Sequence, residues 1–271
     1  MGLNLREALA AIARAFADFL VLAAAFVACG FLALAEFVAL LAAARGAGFH
    51  GPAAVPLLAL LIVLAGALTL AAWERLLFRR QAAMLFAFAG RDPDAAGREA
   101  RAMFPDAVNW SRTGRRLRQA LHALRRADEP AAARPGIPGR LAEAAFSRAI
   151  LVLAISRGET DRTEELAAAL ALYWQQATGT RRTAEGWLRF SAAAQALLLA
   201  ILALANVLIF RQAGAPATIG VALAVAVAWP LHRAFFAPLA LAGVSAALLE
   251  EARGREPDAG LRRRIAALLN P

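Results

Sequence analysis

The sequence predicts an all-α, polytopic membrane protein: two transmembrane hairpins, four spans in all, flanking a cytoplasmic helical domain, with an interfacial helix near the C-terminus. Three observations predict it. Of 271 residues, 61% are hydrophobic and 18% charged, against roughly half and a quarter in ordinary soluble domains. The apolar excess is confined to two blocks, roughly 15–78 and 188–249, with a polar block between them. No convincing stretch alternates with the period of two that a half-buried strand requires.

The spans come first. About 20 apolar residues cross the hydrocarbon core of a bilayer. Such runs occupy 19–43, interrupted by Glu36, then 53–73, 190–210, and a fourth from near 216 to at least 231. The first run is too long for the apolar core of a signal peptide, and no cleavage pattern stands clear of the surrounding alanines, so it is read as a span.

Arginine placement sets the orientation. Arg6 and Arg14 precede the first run, and Arg75, Arg79 and Arg80 follow the second. Arg181, Arg182 and Arg189 precede the third, and Arg253, Arg255 and Arg262 to Arg264 follow the last apolar stretch. The two short connections hold only Arg45 and Arg211. Both termini and the central block are therefore expected in the cytoplasm, at the inner membrane. Trp73, Trp187 and Trp229 fall at the inner ends of three spans, where an amphipathic indole favours the interface. The resulting division is hairpin one at 15–78, a basic helical domain at 79–188, hairpin two at 189–232, and an interfacial helix with a basic tail at 233–271. Gly220, Ala224 and Ala228, like Ala24 and Ala28, repeat at every fourth residue, a spacing that lets helices approach closely.

The insert reads as helices. Asp92-Pro93-Asp94 is a start signal: a capping acid, proline at the first position, and a second acid facing the positive end of the helix dipole. In "RTGRRLRQALHALRRA", 112–127, Leu117, Leu121 and Leu124 share one face, and Arg115, Arg116, Arg118, Arg125 and Arg126 surround the rest. "EPAAARPGIPG", 129–139, is a loop by its prolines and glycines. The run 141–156 is a buried helix, too short to span with Arg148 in it. Asp161 and Glu164 form a capping pair for the helix that ends near Gln176.

Net charge is +10, and all 30 basic residues are arginine. With abundant Ala, Gly and Pro, that is the codon bias of a GC-rich bacterial genome. The absence of lysine excludes Schiff-base and lysine general-base chemistry. From Glu74 to Arg189 there are 20 arginines and 13 acids. This surplus suits anionic lipid headgroups first and an acidic protein partner second. Nucleic acid is disfavoured, because no aromatic residues interleave with the arginines and no recognition motif is present.

The remaining motifs are weak. "GAGFHG", 46–51, matches G-x-G-x-x-G, but it joins two membrane runs and has no strand before it, so its glycines are turn residues. His50, His122 and His232 share no ligand spacing, and no cysteine or acid cluster joins them. Cys29 is a lone small packing residue. No phosphate loop, nucleophile elbow or zinc helix occurs. No cofactor, metal or catalytic constellation is therefore expected.

Glu36 is the one acid inside a span. It lies nine residues before Arg45, roughly 13 Å along a helix. It either reaches the outer interface or marks a proton or cation site. Gln195 and Asn206 in the third span are candidates for interhelical hydrogen bonds. In "WPLHRAFFAPLALAGVSAALLEE", 229–251, the expected span stops near Trp229-Pro230. His232 and Arg233 then sit among cytoplasmic headgroups, with Pro230 and Pro238 bending the backbone on either side. The rest lies along the inner surface or packs under the bundle.

These features favour a non-enzymatic inner-membrane component of a larger assembly, using its basic domain on a protein partner, a second copy or anionic lipid. The alternative is a transporter or channel subunit with Glu36 in the pathway. A lipid-directed enzyme would have only His232, Arg233 and Glu250 or Glu251 to work with.

Overall fold

A computed structural model describes residues 5–46, 48, 68–69, 72, 75–128, 137–158, 162–175, 179–212, 224, 227–228 and 230–270. The expected second span and most of the fourth lie outside these residues, as do His50, Trp73, Asp161 and Trp229.

The fold is all-helical, with no strand among the described residues. In chain order the helices are α1 (Leu5–Arg14), α2 (Phe16–Gly46), α3 (Phe78–Phe88), α4 (Pro93–Met103), α5 (Ala107–Asp128), α6 (Ile137–Arg157), α7 (Arg162–Gln175) and α8 (Gly179–Gln212). A π turn (His232–Phe236) then leads into α9 (Ala237–Glu251), and α10 (Ala259–Leu269) follows.

Two helical segments among the described residues are long and apolar enough to cross a membrane: Arg189–Ile209, with mean hydropathy 2.3, and His232–Glu251, with 1.4. A third is added if α1 and the start of α2, which meet at a sharp bend, count as one span.

Contacts divide the chain into two compact units. The first comprises residues 1–19, 78–190 and 238–271. Its centre is α3, α6 and α7, which are apolar nearly all round, as a helix enclosed by others must be. Every residue of α3 except Arg79 and Arg80 is buried, and α6 is buried from Ala149 to Ile155. Around them the helices are one-sided. In α5, Leu117, Ala120, Leu121 and Leu124 face inward, the stripe expected from their spacing. In α4 it is Ala96 and Ala100, and in α10 Ile265 and Leu269. An ion pair between Arg262 and Glu164, 3.0 Å, ties α10 to α7.

Local signals place the helix starts. Asp106 accepts the Asn109 N–H at 2.7 Å and caps α5, and Asp258 does the same for Leu261 at the head of α10, also 2.7 Å. Asp92 occupies the cap position of α4 and Pro93 its first turn, but the Asp92 carboxylate makes no capping bond. One boundary differs from the sequence reading: α6 begins at Ile137, inside the expected loop. Pro138 is compatible with this because the first-turn N–H groups of a helix have no acceptor within it.

The larger difference concerns Trp187. α9 is a separate helix that packs into the first unit, with Pro238, Leu241, Val244 and Leu248 buried. Trp187, expected at the membrane interface, is also buried there. The two facts have one cause. The Trp187 indole lies where a Cβ on residue 243 would stand, so only glycine at that position lets α9 and the ring pack. Phe190 meets the same indole edge-on, with ring centroids 5.8 Å apart.

The second unit comprises residues 20–77 and 191–237. Here Gly30 of α2 meets the Pro230 ring, which would stand 3.0 Å from a Cβ at position 30. Large apolar side chains stay exposed: Phe31, Leu32 and Val38 on α2, and Leu197, Ile201, Leu204 and Leu208 on α8. A stripe of that size left uncovered by the chain suits a lipid or protein environment.

Candidate functional site

Three groups of residues stand out in the sequence, and the structure gives each a place. The first is the outer face of α5. Arg115, Arg116, Arg118 and Arg126 are exposed, as is Arg112 one turn earlier, while Arg125 is half-buried and has partners. The leucine stripe fixes this arrangement: with 117, 121 and 124 turned to the core, the arginines occupy the remaining arc of the helix. The face is a broad band of positive charge. It suits an extended anionic surface better than a small ligand.

The second group surrounds the π turn. The hydroxyl of Ser191, at the head of the apolar part of α8, lies 2.8 Å from His232 Nε2. Either partner can donate: the hydroxyl to an unprotonated Nε2, or an Nε2–H to the hydroxyl. The His232 ring stacks over Phe236 at 6.3 Å between centroids. Ser191 is buried and His232 and Arg233 are half-buried. Arg233 has partners of its own.

Proline explains why the helix widens here. Pro238 lacks an N–H, and its ring would collide with the carbonyl of Ala234 in a regular α-helix. One residue earlier, the Ala237 N–H bonds to the His232 carbonyl, five residues back. That extra residue in the turn takes up the misfit, as π turns do. Pro230 and Leu231 are helical and continue into the π turn.

Ser191 is the partner that the sequence did not reveal. It stands 41 residues from His232, and nothing in a single sequence links two positions at that separation. A serine and a histidine in contact are two members of a nucleophilic triad. Among the described residues no carboxylate is found on the ring's other nitrogen, and no group of three His, Cys, Asp or Glu side chains converges anywhere.

The third group, Glu36, Gln195 and Asn206, belongs to the second unit. Glu36 is exposed on α2, and Gln195 and Asn206 are half-buried on α8. The Asn206 amide donates to the Leu202 carbonyl at 2.8 Å, one turn back on its own helix. That bond satisfies a donor locally without reaching another helix. The structure reports no bond joining the three residues. His122 lies half-buried on α5, and Gly48 in "GAGFHG" has φ 77°, a left-handed turn conformation that glycine adopts without strain.

The chain matches no family model, no curated protein and no solved structure.

Proposed function

We propose that this chain is a non-catalytic, four-span component of a bacterial inner-membrane assembly, with both termini and the basic helical unit on the cytoplasmic side. In this reading the helical unit holds an anionic surface against the bilayer through α5. One observation carries it: the arginines of α5 are exposed along a helix whose other face is fixed by buried leucines. Each basic residue near an anionic bilayer surface contributes about 1 kcal/mol of attraction. A row of them therefore favours anionic lipid strongly without any shaped pocket.

Support for the membrane setting comes from the exposed apolar stripes of α2 and α8 and from the asymmetric placement of arginine around the apolar runs. The transporter reading has less support, because Glu36, Gln195 and Asn206 are not joined by any bond.

The test uses the full chain with Cys29→Ala and a nitroxide label at Gln119→Cys, an exposed position on α5. In nanodiscs containing anionic lipid, the label should be shielded from a water-soluble relaxation agent. Shielding should be absent in purely zwitterionic nanodiscs, at about 1 M salt, where the screening length falls to about 3 Å, and in Arg115→Gln/Arg116→Gln. Accessibility that is the same in every lipid would sink the lipid reading. Shielding that follows a co-purifying acidic protein would assign the face to that protein.

A further inference from the structure

The helical unit contains a cleft of about 520 Å³ that the reading above does not use. Three arginines line it: Arg14, Arg157 and Arg253. Arg14 closes α1, Arg157 closes α6, and Arg253 stands two residues beyond α9. Phe88, the last residue of α3, supplies an apolar wall. Gly90 and Gly254 complete the rim at φ 85° and 70°. At Gly90 the turn is closed by two bonds, Gly90 N–H to Ala87 and Arg91 N–H to Phe86, both 3.1 Å, the pairing that ends helices at a left-handed glycine.

The charge of the cleft is decided by magnitudes. Four helices end there, and each C-terminus carries a partial charge of about −0.5, so about −2 together. Three guanidinium groups bring +3, and none of the residues lining the cleft is a carboxylate. The guanidinium groups therefore outweigh the helix ends, and Glu256, paired with Arg157, offsets part of the remainder. Arg157 is held in place: its Nη1 donates to the Arg255 carbonyl at 3.3 Å. Its Nη2 meets the Glu256 carboxylate only loosely, at 3.7 Å, and that side chain is 88% exposed. Arg14 and Arg253 are exposed, and among the described residues neither has an ion pair.

We propose that this cleft is a binding site for a phosphoryl group, gripped by Arg14, Arg157 and Arg253 with the rest of the ligand against Phe88. Guanidinium groups bind phosphate oxygens through paired, charge-assisted hydrogen bonds, and three arginines lining one opening offer donors for a phosphate's several oxygens. The position of the cleft in the chain points to a source. Arg14 precedes the start of α2, which carries the first apolar run, by two residues. Phosphates of lipid headgroups are concentrated at that level of a bilayer. The inference does not rest on the arginine face of α5, whose variants serve as the control.

Calorimetric titration of the full chain in a neutral detergent tests it, with three probes: inorganic phosphate, glycerol 3-phosphate and dihexanoyl phosphatidic acid. Saturable binding is expected for at least one probe, weakened tenfold or more by Arg14→Gln/Arg253→Gln. Both side chains are exposed, so the variant should fold, and Arg115→Gln/Arg116→Gln should bind as the parent does. A lipid probe that binds at least tenfold tighter than inorganic phosphate assigns the site to a headgroup, and equal affinities assign it to free phosphate. The proposal is overturned if no probe binds saturably, if the double variant binds unchanged, or if the α5 control loses as much affinity. It also falls if the cleft variant loses only thermal stability, because the arginines would then serve the helix ends alone.

Discussion

Ser191 Oγ and His232 Nε2 stand 2.8 Å apart, a side-chain hydrogen bond that ties α8 to the π turn across 41 residues of sequence. Ser191 is buried, so losing its partner leaves a polar group without water. Ser191→Ala and His232→Ala should each lower stability by about 1 kcal/mol, the usual net contribution of such a bond. The double variant should lose little more than the worse single one, since both remove the same interaction. Thermal unfolding of the four proteins in one detergent measures this, and strictly additive losses would mean that the bond contributes nothing.

Gly243→Ala should be among the most damaging single-methyl changes in the chain. The new Cβ overlaps the Trp187 indole, so the buried ring or α9 must shift. Overpacking of this kind costs about 1–3 kcal/mol. Pairing it with Trp187→Leu should recover part of the loss, because the smaller side chain vacates the contested space. A loss from Gly243→Ala that Trp187→Leu leaves unrelieved would show that the ring is not the obstacle.

The two faces of α5 should respond in opposite ways. Leu124 is fully buried, and Leu124→Ala removes a core side chain at a cost of about 2–5 kcal/mol. Arg116→Gln, on the exposed face, should change stability by less than about 0.5 kcal/mol while reducing the attraction to anionic lipid. Unfolding curves set beside the lipid-dependent shielding of α5 separate the two effects. A large stability loss from Arg116→Gln would make that arginine a packing residue.

Threading is open to direct chemistry, because Cys29 is the chain's single cysteine. In a Cys29→Ala background, Ala47→Cys should react with a membrane-impermeant maleimide in intact cells. Gln119→Cys and Leu268→Cys should react only after the membrane is opened. Labelling of Gln119→Cys from outside would reverse the proposed orientation.

Much of the helical unit was legible in the sequence because its signals are local. Leu117, Leu121 and Leu124 declare a buried stripe by spacing alone, and Asp92-Pro93 announces a helix start whose position depends on nothing distant. The absence of strands among the described residues followed from the same periodicity. The start of α6 was misplaced because Pro138 and Gly139 read as loop residues, yet proline belongs equally well to the first turn of a helix. For the candidate site, the exposed arginines of α5 could be read directly, while Ser191 could not, since it acquires meaning only beside His232.

The sequence by itself determined that this is an all-α chain with apolar segments long enough for a bilayer, and where its excess of arginine lies. Those properties come from composition and from periods of a few residues. Tertiary structure decided the fate of 232–251 and of Trp187. Hydropathy cannot tell whether an apolar helix is covered by lipid or by protein, because both are equally dry. For 237–251 part of the cover is protein: position 243 leaves room for an indole 56 residues away in sequence, and Pro238, Leu241, Val244 and Leu248 are buried. The same tertiary packing brought Arg14, Arg157 and Arg253 to a single opening. Charge-to-charge proximity between distant residues is a product of folding and leaves no mark on the local pattern.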